Sequence, residues 1–178
     1  MFVDLTQWTE EELRLEHHYL PDQFDMADDQ LMVSEPPHVF FHLRRLGREI
    51  RVQGNVTAEL MVSCDRCLTV FRLPVETSFD VFYAPIEVLT PEEEVELTER
   101  DLTFGFYRND LIDLTGLVRE QIRLALPFRL LCREDCRGLC PRCGADLNEG
   151  DCGCRSEEID ARWAALAELR KHLTDVGG

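Results

Sequence analysis

Eight cysteines in four close pairs constrain this chain more than any other feature of its sequence. Two of the pairs have the C-x2-C spacing of a metal-binding knuckle, and the other two have three residues and one residue between their cysteines. A short loop of this kind lets two thiolates reach one ion, so four pairs suit two tetrahedral four-cysteine sites. The candidate ligands are Cys64, Cys67, Cys132, Cys136, Cys140, Cys143, Cys152 and Cys154.

The sequence favours metal ligation over disulfide bonds for these thiols. The N-terminal segment has no basic start and no long apolar run, so it does not resemble a secretory signal. We therefore expect a cytoplasmic protein, in which thiols stay reduced. Zinc is the expected ion because all-thiolate tetrahedral sites favour it, with iron as the competitor. Two closed four-thiolate zinc sites leave no open coordination position, which predicts a structural rather than a catalytic role.

The assignment of cysteines to each site is open at the level of the sequence. The last four cysteines lie within residues 140–154, and closing such a short loop costs little chain entropy, which favours one local site. The first four would then form the second site, which would tie a hairpin tip to a segment more than sixty residues later. In the alternative arrangement, the first pair shares an ion with Cys140 and Cys143.

Alternating apolar residues predict β-strands over much of the first half of the chain. The period of two is clear between residues 38 and 84, and residues 13–20 fit one more strand. The Pro36-Pro37 pair marks a boundary before the main run, and residues 21–30 fit a loop. The C-x2-C knuckle at Cys64 falls between two strand patterns, so we expect it at the tip of a hairpin.

Two stretches with helical periodicity follow. Residues 113–126 predict a helix that Asp113 or Thr115 caps, and a second helix is predicted over 158–173. The acidic residues 87–101 are interpreted as a solvated loop. The predicted fold is α+β: an antiparallel β meander or small barrel with one central helix, a cysteine-rich zinc module and a C-terminal helix. The predicted domains are a β-rich body with an N-terminal extension and helix over 1–131, and the zinc module with the C-terminal helix, packed on the body, over 132–178.

The charge of the chain limits the partners that it can bind. Lys and Arg number 19 against 35 Asp and Glu, a net charge of −16, which argues against a broad nucleic-acid-binding surface and against an anionic membrane. Two local groups of arginines are exceptions and are candidates for contact with RNA phosphates. Their members are Arg44, Arg45, Arg48, Arg51, Arg133 and Arg137.

Sequence motifs of catalysis are missing. The chain has no phosphate-binding GxxxxGK loop, no GxSxG elbow and no HExxH motif, so we expect no enzyme and no small-molecule substrate. The strand histidines His38 and His42 are interpreted as surface groups or satisfied core groups.

Four segments together resemble the bacterial YceD family, the large ribosomal RNA subunit accumulation proteins. They are CDRCLTVFRLPV, IDLTGLVREQIRLALP, LCREDCRGLCPRCGADLNEGDCGC and the segment that carries Trp163. The resemblance spans residues 38–173, and all eight cysteines of the family's metal-binding form are present. It implies a non-enzymatic factor for the accumulation of 23S ribosomal RNA. The implied partner is a precursor of the large ribosomal subunit, and the implied contact is with ribosomal RNA, with a basic ribosomal protein or with both. A zinc-ribbon adaptor or chaperone that binds such a basic protein rather than RNA is the alternative.

Overall fold

Long strands with alternating buried and exposed residues dominate the fold, as the period-two pattern predicts. The structure is a computed structural model, and it describes residues 1–28, 31–86 and 104–154. The acidic stretch 87–101 and the predicted helix 158–173 lie outside the described residues. The strands are β1 (Phe2–Asp4), β2 (Glu12–His18), β3 (Met32–Leu46), β4 (Glu49–Ser63), β5 (Val70–Pro85), β6 (Phe104–Tyr107) and β7 (Leu111–Asp113).

Five of these strands form one sheet in the order β2-β3-β4-β5-β6, and β1 pairs with β7. Strands β2 to β5 are an antiparallel meander, as predicted, because each of them pairs in the antiparallel direction with the next strand in the sequence. Strand β6 pairs with β5 in the parallel direction, which the sequence analysis did not predict. The order of the sheet is open in the described part of the chain, which matches the meander rather than the small barrel.

Strand β3 begins before the two prolines, at Met32, whereas the sequence analysis placed a boundary at Pro36-Pro37. The ladder between β3 and β4 shifts register twice, between Val33 and Glu35 and between Glu35 and His38. Proline has no N–H to donate, and such irregularities are where a strand tolerates it. The Pro37 carbonyl still accepts a hydrogen bond from Tyr19 N at 3.0 Å. The strand therefore continues through the prolines.

The α-helix α1 spans Leu114–Ala125, within one residue of the predicted range at each end. The Asp113 side chain caps it by accepting a hydrogen bond from Gly116 N at 3.0 Å. Its buried face is Leu114, Leu117, Val118 and Ile122, which join the core that the sheet lines. The apolar face of α1 therefore packs against the strands in the core.

The residues also separate into two compact units, Met1–Glu134 and Asp135–Gly178. The sheet, the core and α1 belong to the first unit. In the described part of the second unit, 135–154, the buried apolar side chains are two cysteines, Cys136 and Cys140. The predicted domain division into 1–131 and 132–178 stays a prediction. Among the described helical residues, no helix is long and apolar enough to cross a membrane.

Candidate metal centres

The β4–β5 hairpin ends in the first cysteine pair, which confirms the predicted position of this knuckle. Cys64 N donates a hydrogen bond to Thr69 O at 2.9 Å, and Leu68 N donates to Cys64 O at 2.9 Å. Arg66 N donates to Cys64 Sγ at 3.5 Å. The loop thus closes tightly on itself, and both Cys64 and Cys67 are buried.

The second C-x2-C pair repeats this pattern of hydrogen bonds. Cys140 N donates to Ala145 O at 2.8 Å, and Gly144 N donates to Cys140 O at 2.8 Å. The residue after the second cysteine has a positive φ in both loops, 62° at Leu68 and 73° at Gly144. The two loops therefore share one backbone conformation, although only one of them has glycine at the left-handed position.

A segment far along the chain meets the first knuckle inside the first unit. Asp65 N donates to Leu130 O at 2.8 Å, and Leu130 N donates to Asp65 Oδ2 at 2.7 Å. This two-way contact brings Cys132 to the knuckle, where its Sγ lies 3.6 Å from Cys67 Sγ. The predicted link between a hairpin tip and a segment more than sixty residues later is thus made by hydrogen bonds as well as by thiols.

The eight thiols form two groups of four, each of which could hold one metal ion. The sulfur atoms within each group lie within 4.8 Å of one another. The second group lies entirely within residues 140–154, as the loop-closure argument favours. One group is Cys64, Cys67, Cys132 and Cys136, and the other is Cys140, Cys143, Cys152 and Cys154.

In the first group, Cys64 is prepared to be a thiolate. Burial raises the pKa of this thiol, but backbone N–H groups of Cys132, Cys67 and Arg66 outweigh burial and bring the pKa to about 6. Each of these donors interacts more favourably with a thiolate than with a thiol. A metal ligand must be deprotonated, so this arrangement favours ligation near neutral pH.

In the second group, the pKa of Cys140 is lowered, whereas the pKa values of Cys152 and Cys154 are raised. Backbone N–H groups of Cys143 and Arg142 lower the pKa of Cys140 to about 6. Hydrogen bonds with the Cys143 and Cys152 thiols raise the pKa of Cys154 to about 12. Four crowded sulfurs cannot all carry charge without a counterion, and a divalent cation bound by them would supply the missing positive charge.

The donor set fits zinc. Four sulfur ligands in one tetrahedral shell are the composition of structural zinc sites, and they leave no position for water or substrate. Neighbouring polar groups also support the sulfurs. Asn148 Nδ2 lies 3.5 Å from Cys136 Sγ, and the side chain of Thr69 lies 3.3 Å from Cys67 Sγ. Such contacts orient ligands and tune their charge.

These supporting residues were missed by the sequence analysis. Asn148 also accepts a hydrogen bond from Arg137 N at 2.8 Å, and Asp65 binds Leu130. Asp65 lies inside a C-x2-C loop, and Asn148 lies between the two cysteine pairs of one cluster. The sequence did offer a signal for them, because short polar side chains close to paired cysteines commonly form hydrogen bonds with nearby backbone groups.

Two of the arginines predicted to contact RNA, Arg45 and Arg51, make contacts within the chain. The Arg45 guanidinium donates to Leu5 O at 2.9 Å and to Trp8 O at 2.8 Å, and it lies 5.0 Å from the centre of the Trp8 ring. Arg51 makes a two-pronged ion pair with Asp80, at 2.8 and 2.5 Å. Both side chains therefore stabilise the sheet and its N-terminal flank.

The other four predicted arginines are exposed. Arg44 lies 3.2 Å from a Glu12 carboxylate oxygen, and Arg137 lies 2.5 Å from Asp151 Oδ1. Exposed ion pairs of this kind are weak, so an RNA phosphate can compete with them. The remaining two are Arg48 and Arg133.

Fold and site together define the class: a β-rich α+β protein with two groups of four thiols that suit structural metal ions. A sequence model of the family described as "Large ribosomal RNA subunit accumulation protein YceD" matches residues 52–170. The chain belongs to this family.

The chain is also similar to proteins of other organisms, one of which carries the name of this family. A protein of Mycobacterium tuberculosis (strain H37Rv) is 35% identical over 120 residues, which are 67% of this chain and 55% of that protein. The Arabidopsis thaliana protein named "Large ribosomal RNA subunit accumulation protein YCED homolog 1, chloroplastic" is 23% identical over 80% of this chain and 51% of its own length. Bacillus subtilis YlbN is 25% identical over 86% of this chain and 92% of its own length.

The chain spans about half the length of the Mycobacterium tuberculosis relative, 55%. No solved structure matches it.

Proposed function

We propose that this protein is a non-enzymatic, cytoplasmic ribosome biogenesis factor that supports the accumulation of large-subunit (23S) ribosomal RNA. The observation that carries this proposal is the match of residues 52–170 to the YceD family. The name of the Arabidopsis relative refers to the same process. The partner in this proposal is a precursor of the large ribosomal subunit.

In this proposal both cysteine groups hold zinc, and the zinc is structural. The thiol sets and their supporting hydrogen bonds favour a closed shell in each group, and a closed shell offers no reactive position. Metal analysis of the purified protein tests this: we expect two zinc ions per chain and no thiol that reacts with a mild thiol reagent. A reactive thiol in fully loaded protein would favour an enzymatic role.

The contact with the precursor involves a basic ribosomal protein more than RNA. The net charge of −16 attracts a basic protein and repels a phosphate backbone. Two of the six arginines proposed for RNA contact are also held by Leu5, Trp8 and Asp80. The adaptor or chaperone for a basic ribosomal protein is therefore the second candidate function, and these two observations favour it.

Sucrose-gradient sedimentation of the tagged protein from its own cells, at low and moderate salt, tests the proposal. We expect migration with large-subunit precursors and not with mature polysomes. Migration only at the top of the gradient at both salt concentrations would contradict action on the precursor. In that event, captured free ribosomal protein would support the chaperone.

A pair of double variants separates RNA contact from protein contact. Arg44→Glu with Arg48→Glu changes exposed charge without touching the internal contacts of Arg45 and Arg51. Arg14→Glu with Arg72→Glu is the matched control, since both side chains are well exposed and the charge change is equal. If both double variants still migrate with large-subunit precursors, Arg44 and Arg48 in the β3–β4 turn do not contribute to binding of the precursor.

A further inference from the structure

A second kind of ligand cluster, made of histidine and glutamate, lies on the exposed face of strands β2 and β3. Strands β2 and β3 pair so that His18 lies opposite His38, with Glu16 two residues before His18 on the same face. The ligand atoms of these three residues lie within 4.8 Å of one another. The sequence analysis interpreted the strand histidines as ordinary surface or core groups, because only the register of the two strands brings them together.

The ligand atoms of the cluster lie close enough together to share one ion. His38 Nε2 lies 3.0 Å from Glu16 Oε1, and His18 Nε2 lies 3.4 Å from the same oxygen. Two ligand atoms on a tetrahedral zinc ion with bonds of about 2.0–2.1 Å lie about 3.3 Å apart. The two imidazole rings are stacked, with centres 3.7 Å apart and planes inclined by 10°. Because each Nε2 lone pair lies in its own ring plane, the exposed His18 ring must turn out of this stack for both nitrogens to bind the same ion as Glu16.

The surroundings keep the cluster open on one side and supported on the other. The side chains of His18 and Glu16 are 67% and 53% exposed, so an ion can enter from solvent. His38 is 31% exposed, and the Phe40 ring packs against it with centres 4.7 Å apart. Three protein ligands leave one tetrahedral position for water, which distinguishes this cluster from the closed cysteine groups.

A neighbouring pair on the same face provides an internal comparison. His42 Nε2 lies 3.2 Å from Glu12 Oε2, but this pair has only one histidine. The Glu12 carboxylate also lies 3.2 Å from Arg44 and 3.8 Å from Arg14, and these two positive charges oppose a bound cation. The two pairs therefore differ in the number of imidazoles and in the local charge.

We propose that Glu16, His18 and His38 form a third metal site that binds one Zn²⁺ ion reversibly from solution. Imidazole and carboxylate are ligands that suit zinc, and the site takes the ion with an open coordination position rather than a closed shell. The proposal does not depend on the proposed function of the protein or on the cysteine groups.

Zinc titration of the full chain, isolated with its cysteine groups already loaded, tests the site. Calorimetry is expected to show one further equivalent of Zn²⁺. His18→Asn and His38→Asn are each expected to weaken that binding at least about tenfold, as loss of a metal-binding contact does. Glu16→Gln is expected to weaken it as well, since the amide keeps the size of the carboxylate but not its charge. His42→Asn and Glu12→Gln are the matched controls and are expected to leave it unchanged.

Imidazole resonances in nuclear magnetic resonance spectra locate the ion independently of the cysteine groups. We expect added Zn²⁺ to shift the resonances of His18 and His38 saturably and those of His42 little. No further equivalent, or equal shifts of all three histidines, would overturn the proposal. Equal affinity in the His38→Asn and His42→Asn variants would overturn it too.

Discussion

The residue that follows the second cysteine decides the strain in each knuckle. Leu68 and Gly144 occupy the same position in the same pattern of hydrogen bonds, and both have left-handed backbone conformations. A side chain at this conformation costs roughly 1–2 kcal/mol, whereas glycine adopts it freely. Leu68 is 64% exposed, so burial of its side chain compensates little. The first knuckle therefore carries strain that the second does not.

Exchanging the two residue types tests this difference. Gly144→Ala is expected to weaken zinc binding by the second group about fivefold, the equivalent of about 1 kcal/mol. A Cβ at this position meets no atom within 4 Å, so the effect isolates backbone strain. Leu68→Gly is expected to bind zinc at least as well as the natural protein. Zinc transfer to a chromophoric chelator measures both, and a weakening by Leu68→Gly equal to that of Gly144→Ala would contradict the argument.

Thiol ionisation predicts that zinc binding by the second group releases protons. In the metal-free protein near pH 7, Cys140 with its pKa of about 6 is mostly a thiolate, and Cys154 with its pKa of about 12 is a thiol. Zinc must displace the Cys154 proton, so apparent affinity rises with pH, by about tenfold per pH unit for each proton released. Proton release on adding Zn²⁺ in dilute buffer measures this. Cys154→Ser should release one proton fewer, and a natural protein that releases none would refute the assignment.

At the scale of single residues, the spacing of the cysteines predicted which thiols lie together, whereas no pattern predicted the partners of the arginines. Cysteine spacing is local information, so the group within 140–154 followed from loop length alone. The partner of Arg51 is Asp80, which is 29 residues away and depends on the register of β4 against β5. Register depends on the fold as a whole, so this ion pair was not predictable from the pattern around Arg51.

At the scale of elements, Gly54 allows three strands to pack closely. A Cβ at Gly54 in β4 would lie 2.3 Å from the Phe40 carbonyl oxygen of β3 and 2.6 Å from Cζ of Phe79 in β5. The backbone oxygen cannot move aside without disturbing the ladder. Glycine at this position is therefore required by the pairing of both neighbours.

Gly54→Ala is expected to lower the free energy of unfolding by about 1–3 kcal/mol, the usual cost of overpacking. Urea unfolding followed by circular dichroism measures the change. Asn55→Ala, at the exposed neighbouring position, is the control and should change stability little. Equal stability of the two variants would show that β3 and β5 can separate at this point.

The elements differ in how well the sequence predicted them. The helix α1 was predicted almost to the residue, because Asp113, the apolar face and Pro127 are local signals. The parallel pairing of β6 was not predicted, because β6 is only four residues long and its pairing with β5 is not local. The start of β3 was misplaced because proline statistics assume a regular ladder, and this ladder is irregular at Glu35.

At the scale of the whole molecule, the two units have different sources of stability. The first unit has a continuous apolar core, whereas in residues 135–154 the buried apolar side chains are Cys136 and Cys140. A segment without its own core depends on bound metal for its fold. The sheet does not have this dependence.

Removal of zinc by a chelator is therefore expected to unfold residues 135–154 and to leave the sheet folded. Limited proteolysis should show new cleavage sites in 135–154, while the far-ultraviolet circular dichroism of the β-strands stays nearly unchanged. Restoring zinc should remove the new cleavage. Unchanged protease sensitivity after verified metal removal would contradict a structural role for the ion.

The contact between Asp65 and Leu130 joins two segments that are synthesised at different times. Cys67 emerges from the ribosome 65 residues before Cys132, and Cys64 emerges slightly earlier. At translation rates of about 5–20 residues per second, this gap lasts about 3–13 s. During that interval Cys64, whose thiol has a pKa of about 6 in the folded protein, is present without Cys132 and Cys136. The growing chain is then most vulnerable to oxidation and to capture of a wrong metal, and a supply of zinc close to the translating ribosome would shorten that exposure.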